Sequence, residues 1–100
     1  MRAVKFVGST SAGKKIAEIC GKAMKKGAFE LGGSDPFIVL DDADIELATS
    51  KAIPGRLKSN GQSCNNAKRF IVSSQIYDQF KEKLVQKLND YIRIGDPMDN

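Results

Sequence analysis

Apolar and polar positions along this chain repeat with two different periods, and the switches between them mark out its elements. Ala3–Val7 is a short run rich in apolar and β-branched types, which predicts a strand. Gly8-Ser9-Thr10-Ser11-Ala12-Gly13 then opens a helix whose stripe, Ala12, Ile16, Ile19, Cys20, Ala23 and Met24, recurs at three and four residues. Lys25-Lys26-Gly27 is expected to end that helix, and Ala28-Phe29-Glu30-Leu31 reads as a second strand running into Gly32-Gly33. Strand, glycine-containing turn and helix make half of a βαβ unit. Pro36-Phe37-Ile38-Val39-Leu40 is a continuous apolar run, the pattern of a strand buried on both faces.

The second half follows the same logic. Asp41, Asp42 and Asp44 precede a helix carrying Ile45, Ala48, Ala52 and Ile53 on one face, which Pro54-Gly55 should end or kink. Capping from Asp42 and favourable charge in the first turn account for the acids without a metal. Phe70-Ile71-Val72 reads as a strand, and Ser73-Ser74 as the cap of a last helix with the stripe Ile76, Phe80, Leu84, Leu88 and Ile92. Gly95-Asp96-Pro97 should stop it.

Composition narrows the class. The 100 residues allow one small domain or a piece of a larger one, and 41% hydrophobic with 28% charged residues is the balance of a globular chain. The net charge of +4 raises nucleic acid as a partner, but Lys14, Lys15, Lys22, Lys25, Lys26, Lys81, Lys83 and Lys87 fall mostly on polar helix faces. No RNA- or DNA-binding motif accompanies them, so no nucleic-acid partner is expected. No long apolar run follows the early charges, so neither an export signal nor a membrane anchor is expected. Cys20 and Cys64 do not resemble a disulfide framework, which makes a reducing cytoplasm the expected location.

Three stretches carry candidate chemistry. A strand feeding a helix N-terminus through small residues suits an anion, because free N–H groups and the helix dipole face it. A tight turn with a Ser or Thr cap explains the same residues without any ligand. Gly8 to Lys15 falls one residue short of a P-loop, with Lys15 replacing the Mg²⁺-binding hydroxyl, and Thr10 stands where a dinucleotide fingerprint needs its second glycine. A small P-loop-like nucleotide binder led by Lys14 is therefore one alternative. Glu30 lies at a strand end beside two glycines, where an exposed charge is the plain reading and a base with room for substrate the chemical one. Cys64 sits in the polar loop Gly61-Gln62-Ser63-Cys64-Asn65-Asn66, a poor core position for a residue type that usually packs inside. The chain contains no histidine, which removes the commonest metal ligand and general base, and no metal is expected.

Taken together and in order, these stretches resemble the aldehyde dehydrogenase superfamily. Phe6-Val7-Gly8-Ser9-Thr10-Ser11-Ala12-Gly13 is similar to its cofactor-loop motif, with Val7 where Thr is common. Glu30-Leu31-Gly32-Gly33 followed by Ser34-Asp35-Pro36 is similar to its glutamate motif, with Ser34 where Lys is frequent, and Gly61-Gln62-Ser63-Cys64 to its nucleophile motif. Asp42-Ala43-Asp44-Ile45 resembles its usual acidic helix start, and Arg69 and Ile76-Tyr77-Asp78-Gln79-Phe80 follow. Ser63-Cys64 followed by Ala67-Lys68-Arg69-Phe70-Ile71-Val72 most resembles the succinate-semialdehyde type.

The resemblance covers essentially the whole chain and implies an α/β fold, Rossmann-like, spanning residues 1–32 at the end of a cofactor domain and 33–100 at the start of a catalytic domain. It implies that Cys64 attacks an aldehyde as a thiolate and that Glu30 serves as base for the water that hydrolyses the resulting thioester. Gly8, Ser9, Thr10, Ser11, Ala12 and Gly13 would line the phosphates of NAD or NADP, and Leu31 and Gly32 would lie near the nicotinamide. The Cys64 N–H would supply one oxyanion contact. Further segments of a much longer enzyme, homo-oligomeric in full, are implied outside these residues, and the isolated chain is expected to be inactive. The competing class is a non-catalytic truncated product that acts as an interaction module through complementary segments.

Overall fold

The computed structural model describes residues 1–96 and residue 98. The chain divides into two compact units, Met1–Gly33 and Ser34–Asn100, and each contains a parallel strand–helix–strand arrangement.

In the first unit, β1 (Ala3–Val7) pairs in parallel with β2 (Lys26–Glu30), and α1 (Thr10–Lys22) makes the connection. Parallel neighbours need such a crossover, so the half-unit expected from sequence closes into a whole βαβ. Ser9 is the N-cap of α1, and its hydroxyl accepts from the Ala12 N–H at 3.2 Å. Gly13 and Cys20 are the buried positions of α1, whereas Ile19 and Met24 of the expected stripe are exposed. The helix stops earlier than Lys25-Lys26-Gly27 suggested. Met24 turns the backbone at a positive φ of 53°, and Lys26 and Gly27 already belong to β2.

In the second unit, β3 (Asp35–Val39) pairs in parallel with β4 (Ala67–Val72) across α2 (Ile45–Leu57), and α3 (Tyr77–Tyr91) follows. The core is Val39, Ala52 and Phe80, with Phe37, Ile45, Ala48, Phe70, Val72, Ile76 and Leu84 packed around them. Phe37 and Phe70 are partners in register, with ring centroids 5.4 Å apart. The inward pairs are therefore Phe37 with Phe70 and Val39 with Val72.

Burial of β3 on both faces is not what the structure shows. Ile38 and Leu40 are each 61% exposed, and Ile71, the partner of Ile38, is 50% exposed. Strand side chains alternate between faces, and α2 and α3 pack on one face only. Three other boundaries differ. The cap of α2 is Asp44 rather than Asp42, accepting from the Leu47 N–H at 3.0 Å. Pro54 lies inside α2, and the Lys58 N–H still donates to the Pro54 carbonyl, so the helix runs on to Leu57. Burial of Ala52 and Ile53 next to it outweighs the lost hydrogen bond. Neither Ser73 nor Ser74 caps α3, whose N-cap is Ile76 with no side-chain bond. The Ser73 N–H instead donates to the Val39 carbonyl at 2.9 Å and extends the β3–β4 ladder. Of the proposed stop signal, Pro97 lies outside the described residues.

Candidate functional site

In the first unit the two glycine-bearing stretches meet. Val7 and Glu30 are paired in register, and the Gly8 N–H donates to the Glu30 carbonyl at 3.1 Å. The Glu30 side chain remains exposed at the end of β2. Leu31 folds over α1, so that a Cβ on Gly13 would stand 2.5 Å from Leu31 Cδ2, and a Cβ on Gly32 would stand 3.7 Å from Thr10 Oγ1. Gly8, Thr10, Gly13, Glu30, Leu31 and Gly32 thus form one cluster at the strand ends.

A P-loop is not formed there. Gly13 lies within the first turns of α1 and its N–H donates to the Ser9 carbonyl at 2.9 Å, as a helical amide rather than part of an open loop. Among the described residues, the first-turn N–H groups of Thr10 and Ser11 have no partner and lie beside the hydroxyls of Ser9, Thr10 and Ser11, while the Ala12 N–H is taken by the Ser9 cap. Ser9 and Ser11 hydroxyls are 3.1 Å apart, and no acidic residue occupies the first turn. Helix N–H donors with no acidic residue in their own turn are the kind of group that binds anions.

Cys64 belongs to the second unit. It is exposed and unpaired, while Cys20 is unpaired and buried. Its loop is reached from α2 through Lys58–Gly61, in which Ser59, Asn60 and Gly61 all have positive φ, of 54°, 56° and 74°. Arg56 Nη1 donates to the Gly61 carbonyl at 3.2 Å. Buried Asn66 donates from its amide to the Lys58 carbonyl at 2.9 Å, which closes the base of the loop. Lys68 Nζ reaches back from β4 to the carbonyls of Ser63, Cys64 and Asn66. Ser63 Oγ donates to Asn65 Oδ1 at 2.8 Å.

Arg56, Asn66 and Lys68 received no role from the sequence. The available signal was weak: polar residues flanking a polar loop, with nothing in their spacing to say which would turn inward. Among the described residues, no three His, Cys, Asp or Glu side chains form a group able to hold a metal. No helix among those residues is long and apolar enough to cross a membrane.

Two parallel strand–helix–strand units, one with a capped glycine loop and one with an accessible thiol ahead of its last strand, make this an α/β chain. The aldehyde dehydrogenase family model matches residues 1–100, and the chain belongs to that family. It is 47% identical over 97 residues to a succinate-semialdehyde dehydrogenase [NADP(+)] of Mycobacterium leprae, covering 97% of this chain and 21% of that protein. Among solved structures, an E. coli NADP-dependent enzyme superposes with a TM-score of 0.92 at 43% identity, covering 100% of this chain and 21% of that one. A succinate-semialdehyde dehydrogenase from Burkholderia pseudomallei gives 0.89 at 38% identity, covering 95% of this chain and 20% of the other. The chain therefore spans about a fifth of the relatives it matches.

Proposed function

We propose that this chain supplies the nucleophile, the base and the phosphate loop of an NAD(P)-dependent aldehyde dehydrogenase, with succinate semialdehyde as substrate and NADP as the favoured cofactor. The observation that carries the reading is the Cys64 thiol, exposed in a braced loop while the other thiol is buried. Residues 1–32 would close the cofactor domain and 33–100 open the catalytic one, in a cytoplasmic homo-oligomer when complete.

Cys64 Sγ would bond to the aldehyde carbon, and its own N–H would take up charge on the carbonyl oxygen. NAD or NADP, when bound, supplies the two-electron acceptor for the oxidation. Gly8, Ser9, Thr10, Ser11, Ala12 and Gly13 would lie along its phosphates, with Thr10 and Ser11 offering the N–H groups, and Leu31 and Gly32 would flank its reactive end. Glu30, exposed and with no side-chain partner among the described residues, would take a proton from the water that releases the acyl group from Cys64.

A chimera tests this. In the E. coli NADP-dependent enzyme, the corresponding segment is replaced by this chain, and NADPH formation from succinate semialdehyde is followed. Turnover that disappears with Cys64→Ala is expected. A folded chimera that binds NADP yet turns over equally well with Cys64→Ala would overturn the assignment. The isolated chain is expected to show no sustained NADPH formation.

A second reading, a non-catalytic module that pairs with complementary segments, is favoured by the outward face of β3 and β4, where Ile38 and Ile71 are exposed, with Leu40 exposed just past the end of β3. Size-exclusion chromatography separates the readings, because a stable, monodisperse monomer would count against the module.

A further inference from the structure

The Cys64 N–H and the Lys68 ammonium act on opposite ends of one peptide unit. Lys68 Nζ donates to the carbonyl oxygens of Ser63 at 3.3 Å, Cys64 at 2.8 Å and Asn66 at 3.4 Å. The Ser63 carbonyl and the Cys64 N–H share one planar trans peptide, so holding the carbonyl in one direction points the N–H in the other. The Asn66 N–H donates to the same Ser63 oxygen at 3.2 Å, which leaves that plane little freedom. Among the described residues, the Cys64 N–H itself has no hydrogen-bond partner. A cation on a carbonyl oxygen draws electron density from the amide nitrogen and strengthens its N–H as a donor.

We propose that Lys68 is a positioning residue for the Cys64 nucleophile: through the Ser63 carbonyl, its ammonium aims and polarises the Cys64 N–H toward the oxyanion that forms when Sγ attacks a carbonyl carbon. The inference rests on Cys64 being the nucleophile. Lys68 is exposed, so solvent screening keeps its effect below that of the donor it serves.

The test compares two reactions of the thiol in the full 100-residue chain. With p-nitrophenyl acetate, Sγ bonds to the ester carbonyl, the C–O bond breaks, p-nitrophenolate leaves and the thiol proton passes to water. An oxyanion forms on the way. With iodoacetamide, Sγ displaces iodide at a saturated carbon and no oxyanion forms. Both rates are followed across the pH range in which the thiol ionises, so that thiolate reactivities are compared. In Lys68→Met the acylation rate is expected to fall about tenfold, less than the loss of a whole oxyanion donor, with alkylation unchanged. Lys68→Arg should restore most of it, since a guanidinium also donates to carbonyls.

An equal fall in both reactions would mean that Lys68 only keeps the loop in shape, and would overturn the proposal. So would Cys64-dependent acylation indifferent to Lys68, which leaves the nucleophile assignment standing. Acylation no faster in wild type than in Cys64→Ala would overturn that assignment and the role of Lys68 with it.

Discussion

Gly8 and Glu30 are joined through their main chains, the Gly8 N–H donating to the Glu30 carbonyl at 3.1 Å. The end of the first strand and the candidate base are thus fixed to each other without using the Glu30 carboxylate. Glu30→Gln is accordingly expected to leave thermal unfolding of the chain within about 0.5 kcal/mol of wild type, as for an exposed side chain with no partner among the described residues. In the chimeric enzyme the same change should stop thioester release, so that acyl-enzyme accumulates and is seen by mass spectrometry.

Leu31 occupies the space beside Gly13, where an added Cβ would lie 2.5 Å from Cδ2 and 2.9 Å from Cδ1. Gly13→Ala must therefore push Leu31 aside, and the cost of overpacking competes with the gain of about 1 kcal/mol in helix propensity. The two positions should be coupled by about 1 kcal/mol in a double-mutant cycle with Leu31→Ala, the alanine at 13 being better tolerated once Leu31 is trimmed. Urea unfolding of the four variants measures it.

Asn66 is 2% exposed and its amide satisfies the Lys58 carbonyl. Asn66→Ala should cost about 1–3 kcal/mol, because it removes that hydrogen bond and leaves a gap at the base of the loop. Asn66→Asp keeps the shape but turns a donor into an acceptor opposite a carbonyl, and should cost at least as much. Chemical denaturation followed by far-UV circular dichroism gives both values.

Glu46 joins α2 to α3 through Lys83, 2.8 Å from Oε2, and Lys87. Hydrogen bonds from Lys83 first, then Lys87, hold its carboxyl below the ordinary glutamate value of 4.5. A pKa lowered by folding contributes stability that is fully present above the ordinary value and is lost as pH falls through the lowered one. Wild type should therefore exceed Glu46→Gln in stability at neutral pH, with the difference shrinking below pH 4.5. It should shrink also in molar salt, since the group is exposed. Thermal melts at several pH values and two salt concentrations test this.

Much of the fold could be read from periodicity. The β1 run and the Phe80 stripe are visible because apolar runs and fourfold spacing leave a direct mark on sequence, and the thiol-bearing turn because its residues are polar turn formers. Sequence and structure part where tertiary packing overrides a local signal. Pro54 is a helix breaker by itself, yet Ala52 and Ile53 are anchored in the core beside it. Ser73 has the chemistry of a cap but spends its N–H on Val39. In β3 the apolar run does not reveal which face is covered, and Ile38 and Leu40 are exposed while Val39 is not. The candidate site residues stand out in the sequence as motifs, whereas the groups that brace the loop, Arg56, Asn66 and Lys68, act on backbone carbonyls that no sequence pattern marks.

The three consecutive left-handed residues, Ser59, Asn60 and Gly61, give the approach to Cys64 a handedness requirement. L-residues other than glycine pay about 1–2 kcal/mol for this region, asparagine least among them, and β-branched types most. Substitution tolerance at these positions is thus governed by mirror symmetry rather than by polarity or size: valine or isoleucine would be rejected at 59 and 60, while their mirror-image forms, placed there by chemical synthesis, would meet no such backbone penalty.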